Sequence, residues 1–221
     1  MKLLLNALVK LILGIVLVGL LVFLPAGTLE YTGGWLFMGL LFVPMLILGI
    51  VLFIKSPELL KRRLDSKEKT SSQKGVVKLS GLVFTVGFVI SGLDFRFSYS
   101  RMPLWITVTT SVLFIGSYIL YAEVMRENAY LSRTVKVEEG QKVIDTGLYG
   151  IVRHPMYIAT VIMFLMIPLI LGSWCGAIVF LSYPAIIIFR ISEEEKLLEK
   201  ELEGYAEYKK KVKYRLIPFI Y

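Results

Sequence analysis

The stretch from His154 to Phe189, HPMYIATVIMFLMIPLILGSWCGAIVFLSYPAIIIF, decides the fold. It runs 36 residues without a formal charge when His154 is neutral. One straight helix of that length would be about 54 Å long, against a hydrocarbon core of about 30 Å. The stretch therefore has to fold back. Gly172-Ser173-Trp174-Cys175-Gly176 sits at its middle and is the natural turn. Each arm is then about 17 residues, the lower limit for crossing a bilayer. Pro168 and Pro184 are expected to kink the arms. The hairpin brings two polar islands to one membrane face. The first runs from Gly147 to Tyr157 and holds Tyr149, Arg153, Pro155, Tyr157 and the only histidine, His154; the second is Arg190 to Glu195.

The rest of the chain agrees with a membrane setting. Of 221 residues 56% are hydrophobic, and they fall into long uncharged blocks. That pattern predicts an all-α polytopic membrane protein with about six transmembrane helices, the last two a tight hairpin, plus cytosolic interfacial helices. Span one is expected from Leu11 to Leu29, with Lys10 snorkelling; it reads as a span rather than a signal peptide because further spans follow. Span two runs from Tyr31 to Ile54, with Gly33, Gly34, Gly39 and Gly49 available for close helix contact. Span three, Leu79 to Leu93, reaches a usable length only if Lys78 snorkels. Asp94, Arg96 and Arg101 mark the next loop, and span four is Met102 to Ala122.

The polar connections have their own signals. Ser56-Pro57-Glu58 starts a short interfacial helix, followed by a mobile Ser-rich connection over Thr70 to Gln73. Alternation from Thr134 to Ile144 suggests an extended surface segment with a turn at Gly140. From Ser192 onward, Leu198, Leu202, Tyr205 and Val212 keep helical spacing, which predicts an amphipathic helix on the membrane surface, interrupted at Gly204. Lys209-Lys210-Lys211 reads as solvated or facing lipid headgroups. The chain divides into a four-span region, 1–122, and a C-terminal region, 123–221.

The net charge of +8 is read as cytoplasmic loop lysines and arginines, not as a nucleic-acid surface. The connection after span two holds seven Lys/Arg, that after span four five, and Arg190 onward eight; the opposite loops hold none, two and none. Both termini, both long connections and both islands are therefore expected in the cytoplasm. One cysteine, Cys175, excludes an internal disulfide. One His and one distant Cys leave zinc without enough ligands. No Ser neighbours His154 in sequence, and no Gly-x-Ser-x-Gly, Gly-x-Gly-x-x-Gly or phosphate loop occurs. What remains is a positioning site. Its histidine and tyrosines stand at a helix start, where free N–H groups point outward. Arg190 and Glu194, four apart, share a helical face on the facing arm. Such a site suits a charged cofactor beside a lipid-soluble substrate. Interface arginines and tyrosines also occur simply as snorkelling and belt residues.

Gly147-Leu-Tyr149, then Arg153-His154-Pro155-Met156-Tyr157, a hydrophobic hairpin, and Arg190-x-x-x-Glu194-Glu195 together closely resemble the isoprenylcysteine carboxyl methyltransferase family. Gly204-Tyr205-x-x-Tyr208 and Ile217-Pro218-Phe219 also fit it, so the resemblance spans roughly residues 127 to 221. It implies a membrane methyltransferase using S-adenosylmethionine, in a cytosol-facing pocket capped by the C-terminal segments. Carried over residue by residue, Tyr149, His154, Pro155, Met156 and Tyr157 match cofactor-contacting positions. Gln141, Lys142, Val143 and Ile144 match a strip lining the same cofactor, and Glu194 a carboxylate contacting it. Arg190 matches an arginine on the substrate side, suited to a carboxylate. The implied acceptor is lipophilic, and the carboxylate of an isoprenylcysteine-like substrate is favoured. A phospholipid or amine N-methyltransferase is one alternative. An NADPH-dependent membrane sterol reductase is another; there this chain has Met156 where that family carries Asn. A non-enzymatic membrane protein of the same fold is the last. Lipid bilayer is the expected partner, and the sequence is silent on oligomeric state.

Overall fold

The computed structural model describes residues 2–65, 68 and 71–220. Helix dominates it, and no strand occurs among the described residues. In chain order the helices are α1 (Lys2–Ala26), α2 (Thr32–Lys55), α3 (Pro57–Leu64), α4 (Ser71–Phe97), α5 (Leu104–Glu127), α6 (Pro155–Ile170), α7 (Trp174–Phe180), α8 (Tyr183–Glu201) and α9 (Tyr205–Lys211). Helices α1, α2, α4, α5 and the run Trp174–Glu201 are long and apolar enough to cross a membrane. Helix α6 is apolar but has only 16 residues. The polytopic all-α fold expected from the sequence is thus what the chain forms.

The hairpin turns where its length demanded. Gly172 takes φ +79, a left-handed conformation open to glycine, and Ser173 caps α7 by accepting from the Gly176 N–H at 2.8 Å. Its arms are unequal rather than two matched 17-residue helices. The second arm breaks at Leu181-Ser182, restarts with Pro184 in the first turn of α8, and runs past Phe189 to Glu201. The second polar island therefore lies on a continuing helix.

Three sequence expectations need correction. Span three is not short: α4 extends from Ser71 to Phe97, so Ser71-Ser72-Gln73 open a helix instead of forming a mobile connection, and Thr70 lies outside the described residues. Asp94 and Arg96 belong to the last turns of α4, because the Asp94 carboxylate is buried and saturated by hydrogen bonds from Ser100 and Ser173 and so does not end the helix. The 134–144 segment is neither helix nor strand, which agrees with an extended connection. Gly140 does take a turn, at φ +69.

Of the span-two glycines, Gly33 and Gly34 do sit at close approaches: a Cβ at Gly33 would lie 3.1 Å from the Ile170 carbonyl oxygen, and one at Gly34 3.0 Å from the Phe23 ring. A Cβ at Gly39 or Gly49 would meet nothing within 4 Å. At Gly92 of α4 it would lie 2.7 Å from the Val22 carbonyl oxygen, and at Gly87 2.3 Å from the Phe180 ring. Helix α4 is thus pressed between α1 and α7 at glycines. Around it Phe37, Phe88, Phe114 and Phe180 form the aromatic centre of the core. This core draws on both sides of the 122/123 division.

The helices alternate in direction, which sorts their ends. At one end Tyr31 Oη donates to the Leu171 carbonyl (2.5 Å), tying α2 to the hairpin turn. At the other, Lys10 donates to the Leu64 carbonyl, and α3, the start of α6 and the end of α8 converge. Helix α3 forms there as expected. Pro57 sits in its first turn with Glu58, and Lys61, Arg62 and Arg63 in its last, which suits the helix dipole.

Candidate functional site

The two islands meet at this second end. His154 precedes Pro155 and is held out of the helix at φ −128, ψ 59, as a residue before proline should be. That places its imidazole Nε2 3.2 Å from Glu195 Oε1. Arg153 donates from Nε to the same oxygen at 2.7 Å, and Arg215 Nε reaches Glu195 Oε2 at 3.0 Å. Arg153 is not a snorkelling residue: its side chain is 4% exposed, and its Nη1 also serves the carbonyls of Val212 and Lys213, each at 2.7 Å. The backbone N–H groups of Arg153 and His154 donate to the carbonyls of Tyr214 and Arg215. The segment after α9 is thereby laced over the start of α6.

One turn away along α6 the contacts change character. Tyr157 Oη donates to Glu194 Oε2 (2.5 Å) and accepts from Arg190 Nε (3.0 Å). The i,i+4 spacing on α8 delivers Arg190 and Glu194 to one phenol. Arg190 continues from Nη2 to Glu68 Oε1 and to the Arg133 carbonyl, both at 2.9 Å. Glu194, unlike Glu195, has no cation at ion-pair distance among the described residues.

Tyr149 lies in a 3-10 turn, Gly147–Gly150, pinned by the Glu127 carboxylate, which accepts from the Leu148 N–H at 3.0 Å. A Cβ on Gly147 would collide with that carboxylate, so the turn needs glycine here twice over, for space and for φ +53. The Tyr149 hydroxyl accepts from Asn128 Nδ2 (3.1 Å), and its carbonyl accepts from Tyr208 Oη (2.7 Å). Met156 Sδ lies 3.7 Å from Arg63 Nη1; Arg63 also donates to the Ser132 carbonyl and to the Tyr121 hydroxyl.

The strip 141–144 reaches the site through Val143. This side chain packs with Val137 and Leu198 against Leu202, Tyr205, Tyr208 and Val212. The apolar face expected to lie on the membrane therefore rests on protein, because the 128–146 connection covers it. Gln141 uses its side-chain oxygen locally, accepting from the Glu138 N–H at 2.9 Å, and Lys142 is exposed. Burial pushes the phenol pKa values of Tyr149, Tyr205 and Tyr208 up, so all three stay neutral donors.

Two observations test whether S-adenosylmethionine suits this place. The Tyr205 hydroxyl is buried and meets no hydrogen-bond partner among the described residues, while lying within electrostatic reach of Glu195 and Glu194. An orphaned buried donor is costly unless a ligand meets it. Glu194 offers a carboxylate without a cation to a ligand that carries an amino group and a sulfonium. The residues present therefore fit the group. A separate cleft of about 220 Å³, lined by Gln73, Val135, Glu193, Lys196, Leu197 and Lys200, lies on the neighbouring face of α8; no predicted cofactor residue lines it.

Sequence reasoning assigned no role to Glu195, Arg63, Asn128, Glu127, Glu68, Tyr205 or Tyr208. Glu195 and the two tyrosines stood inside quoted motifs, and their partners are what spacing does not reveal. Glu68 and Arg63 come from the connection after α2, where they read as ordinary loop charges.

Two comparisons with known proteins place part of this chain among enzyme sequences by similarity. A stretch of this chain is 32% identical over 91 residues to a delta(14)-sterol reductase of Mus musculus; the match takes in 40% of this chain and 22% of that protein. The chain thus spans only about a fifth of the length of this curated relative. Residues 96–200, which carry both polar islands and the hairpin between them, match the model of the isoprenylcysteine carboxyl methyltransferase (ICMT) family.

Proposed function

We propose that this chain is an integral membrane methyltransferase that moves a methyl group from S-adenosylmethionine to a lipophilic acceptor, with a carboxylate such as that of an isoprenylcysteine-like molecule as the favoured acceptor. One observation carries the reading: Glu194, a carboxylate without a cation, lies beside Arg190 on one helical face, both on the Tyr157 hydroxyl. Bound there, the cofactor would supply a sulfonium-activated methyl group. Glu194 would hold its cationic part, and Tyr205 would give its free hydroxyl. His154, Pro155, Met156 and Tyr149 would line it, and the strip Gln141 to Ile144 with α9 would cover it. Arg190 would fix the acceptor carboxylate in line. Such an acceptor is already ionised at neutral pH, so the chain needs no general base. Alignment alone can supply about 7–11 kcal/mol in favourable cases.

Titration calorimetry on the purified chain in detergent tests this. S-adenosylmethionine should bind and NADPH should not. The reductase match favours a second reading, an NADPH-dependent sterol-type enzyme, and binding of NADPH alone would establish it against the first. Arg190→Lys, which keeps the charge but loses the fork, should leave cofactor affinity intact and stop turnover of a carboxylate. Intact turnover would point to an acceptor of another kind, such as a phospholipid amine. The cytoplasmic placement of the site is tested with Cys175→Ser chains. A cysteine at exposed Lys142 should react with impermeant maleimide only from the cytoplasmic side, and one at exposed Tyr99 only from the opposite side.

A further inference from the structure

Arg190 does not present an open fork to a second carboxylate: among the described residues only Nη1 is without a partner, and a bidentate acid needs Nη2 as well. Its Nε is taken by Tyr157, and its Nη2 by Glu68 and by the Arg133 carbonyl. The Arg190–Glu68 pair is largely buried, with side chains 12% and 5% exposed. Glu68 arrives from the connection between α3 and α4, and its second oxygen accepts from the Val135 N–H at 3.2 Å. A buried carboxylate on this arginine is a chemical copy of the acceptor proposed for it.

We infer that Glu68 occupies the acceptor-carboxylate position at Arg190 and that an acidic acceptor has to displace it. This rests on the reading of Arg190 as the acceptor-side residue. Charge balance supports it. Arg190 and Glu68 cancel as an ion pair, Glu194 is matched by the net single positive charge of the cofactor, and an acceptor carboxylate at Arg190 takes over the part of Glu68. With Glu68 still in place the same assembly carries one buried negative charge too many, which is costly away from water. A neutral lipid needs no such displacement. Glu68 is therefore a residue that sets charge selectivity: it charges an entry cost to acids alone. Its departure also frees the Val135 N–H and loosens Arg190 from the Arg133 carbonyl, so acid binding is coupled to a shift of the 133–135 backbone.

The test uses the full chain in detergent and reads binding by calorimetry. The probes are an S-prenyl-N-acetylcysteine, its methyl ester and S-adenosylmethionine. In Glu68→Gln, which keeps the side chain's shape and its bond from Val135, the acid should bind roughly tenfold tighter than to the parent, as expected when a competing charge is removed from the site. Ester and cofactor affinities should stay within about twofold of the parent. Glu68→Asp, which keeps the charge but shortens its reach, should give an intermediate acid affinity. Unchanged or weaker acid binding in Glu68→Gln overturns the assignment of Glu68 while leaving the acceptor reading standing. Cofactor binding by both proteins with acid binding by neither overturns the carboxylate reading and this inference together.

Discussion

Asp94 and Glu195 are buried carboxylates at opposite ends of the same helical bundle, each 2% exposed, and their surroundings could hardly differ more. Asp94 is satisfied by neutral donors: the Ser100 N–H and hydroxyl, the Ser173 hydroxyl and the Cys175 N–H. All lie within one neighbourhood that joins the end of α4 to the hairpin turn. Glu195 is met by Arg153, His154 and Arg215, drawn from the start of α6 and from the C-terminal segment. The first arrangement is a latch that closes on itself. The second gathers charge from distant parts of the chain and stands next to a carboxylate, Glu194, that no cation balances. The lesson is that burial of an acid does not mark a site; an imbalance beside it does.

The sharpest way to break this contrast is at Glu195. Glu195→Ala strands buried Arg153 and should cost about 3–5 kcal/mol, read as a fall in unfolding midpoint in detergent, with cofactor binding lost. A stable variant that still binds the cofactor would remove Glu195 from the architecture of the site. Asp94→Ala comes next. It leaves the hydroxyls of Ser100 and Ser173 without their acceptor, for about 1–3 kcal/mol, but should spare S-adenosylmethionine affinity because the latch is at the far end. Loss of affinity in a still-folded Asp94→Ala protein would mean the two ends are coupled. Glu194→Gln should behave in the opposite sense, with nearly unchanged stability and cofactor affinity reduced tenfold or more, about 1.4 kcal/mol or greater. Tyr157→Phe is the mildest. It removes the hydroxyl shared by Glu194 and Arg190 and should cost about 0.5–1.5 kcal/mol of stability, with a smaller loss of affinity than Glu194→Gln. If the order of the last two is reversed, the phenol and not the carboxylate is the principal cofactor contact.

Much of the fold was legible because bilayer thickness is an external ruler. A charge-free run of 36 residues must turn, and Gly172 is where left-handed backbone is cheap. The meeting of His154 with the Arg190–Glu195 island followed from that turn. The illegible parts share one cause: polar side chains whose partners lie far along the chain. Asp94 read as the start of a loop because the hydroxyls that quench it come from Ser100 and Ser173. Arg153 read as an interface residue because Glu195 is 42 positions away. Leu198, Leu202, Tyr205 and Val212 correctly announced an apolar face, but periodicity does not say whether lipid or the Val137 and Val143 side chains cover it.

The 16 residues of α6 have one more consequence. At 1.5 Å per residue they rise about 24 Å, some 6 Å less than a typical hydrocarbon core. With the Gly172 turn set at one headgroup plane, a helix of this length would leave His154 short of the other. No residue of α6 is exposed, so neighbouring protein rather than lipid makes up this shortfall, and the polar groups at the helix start sit at the floor of a protein-lined recess.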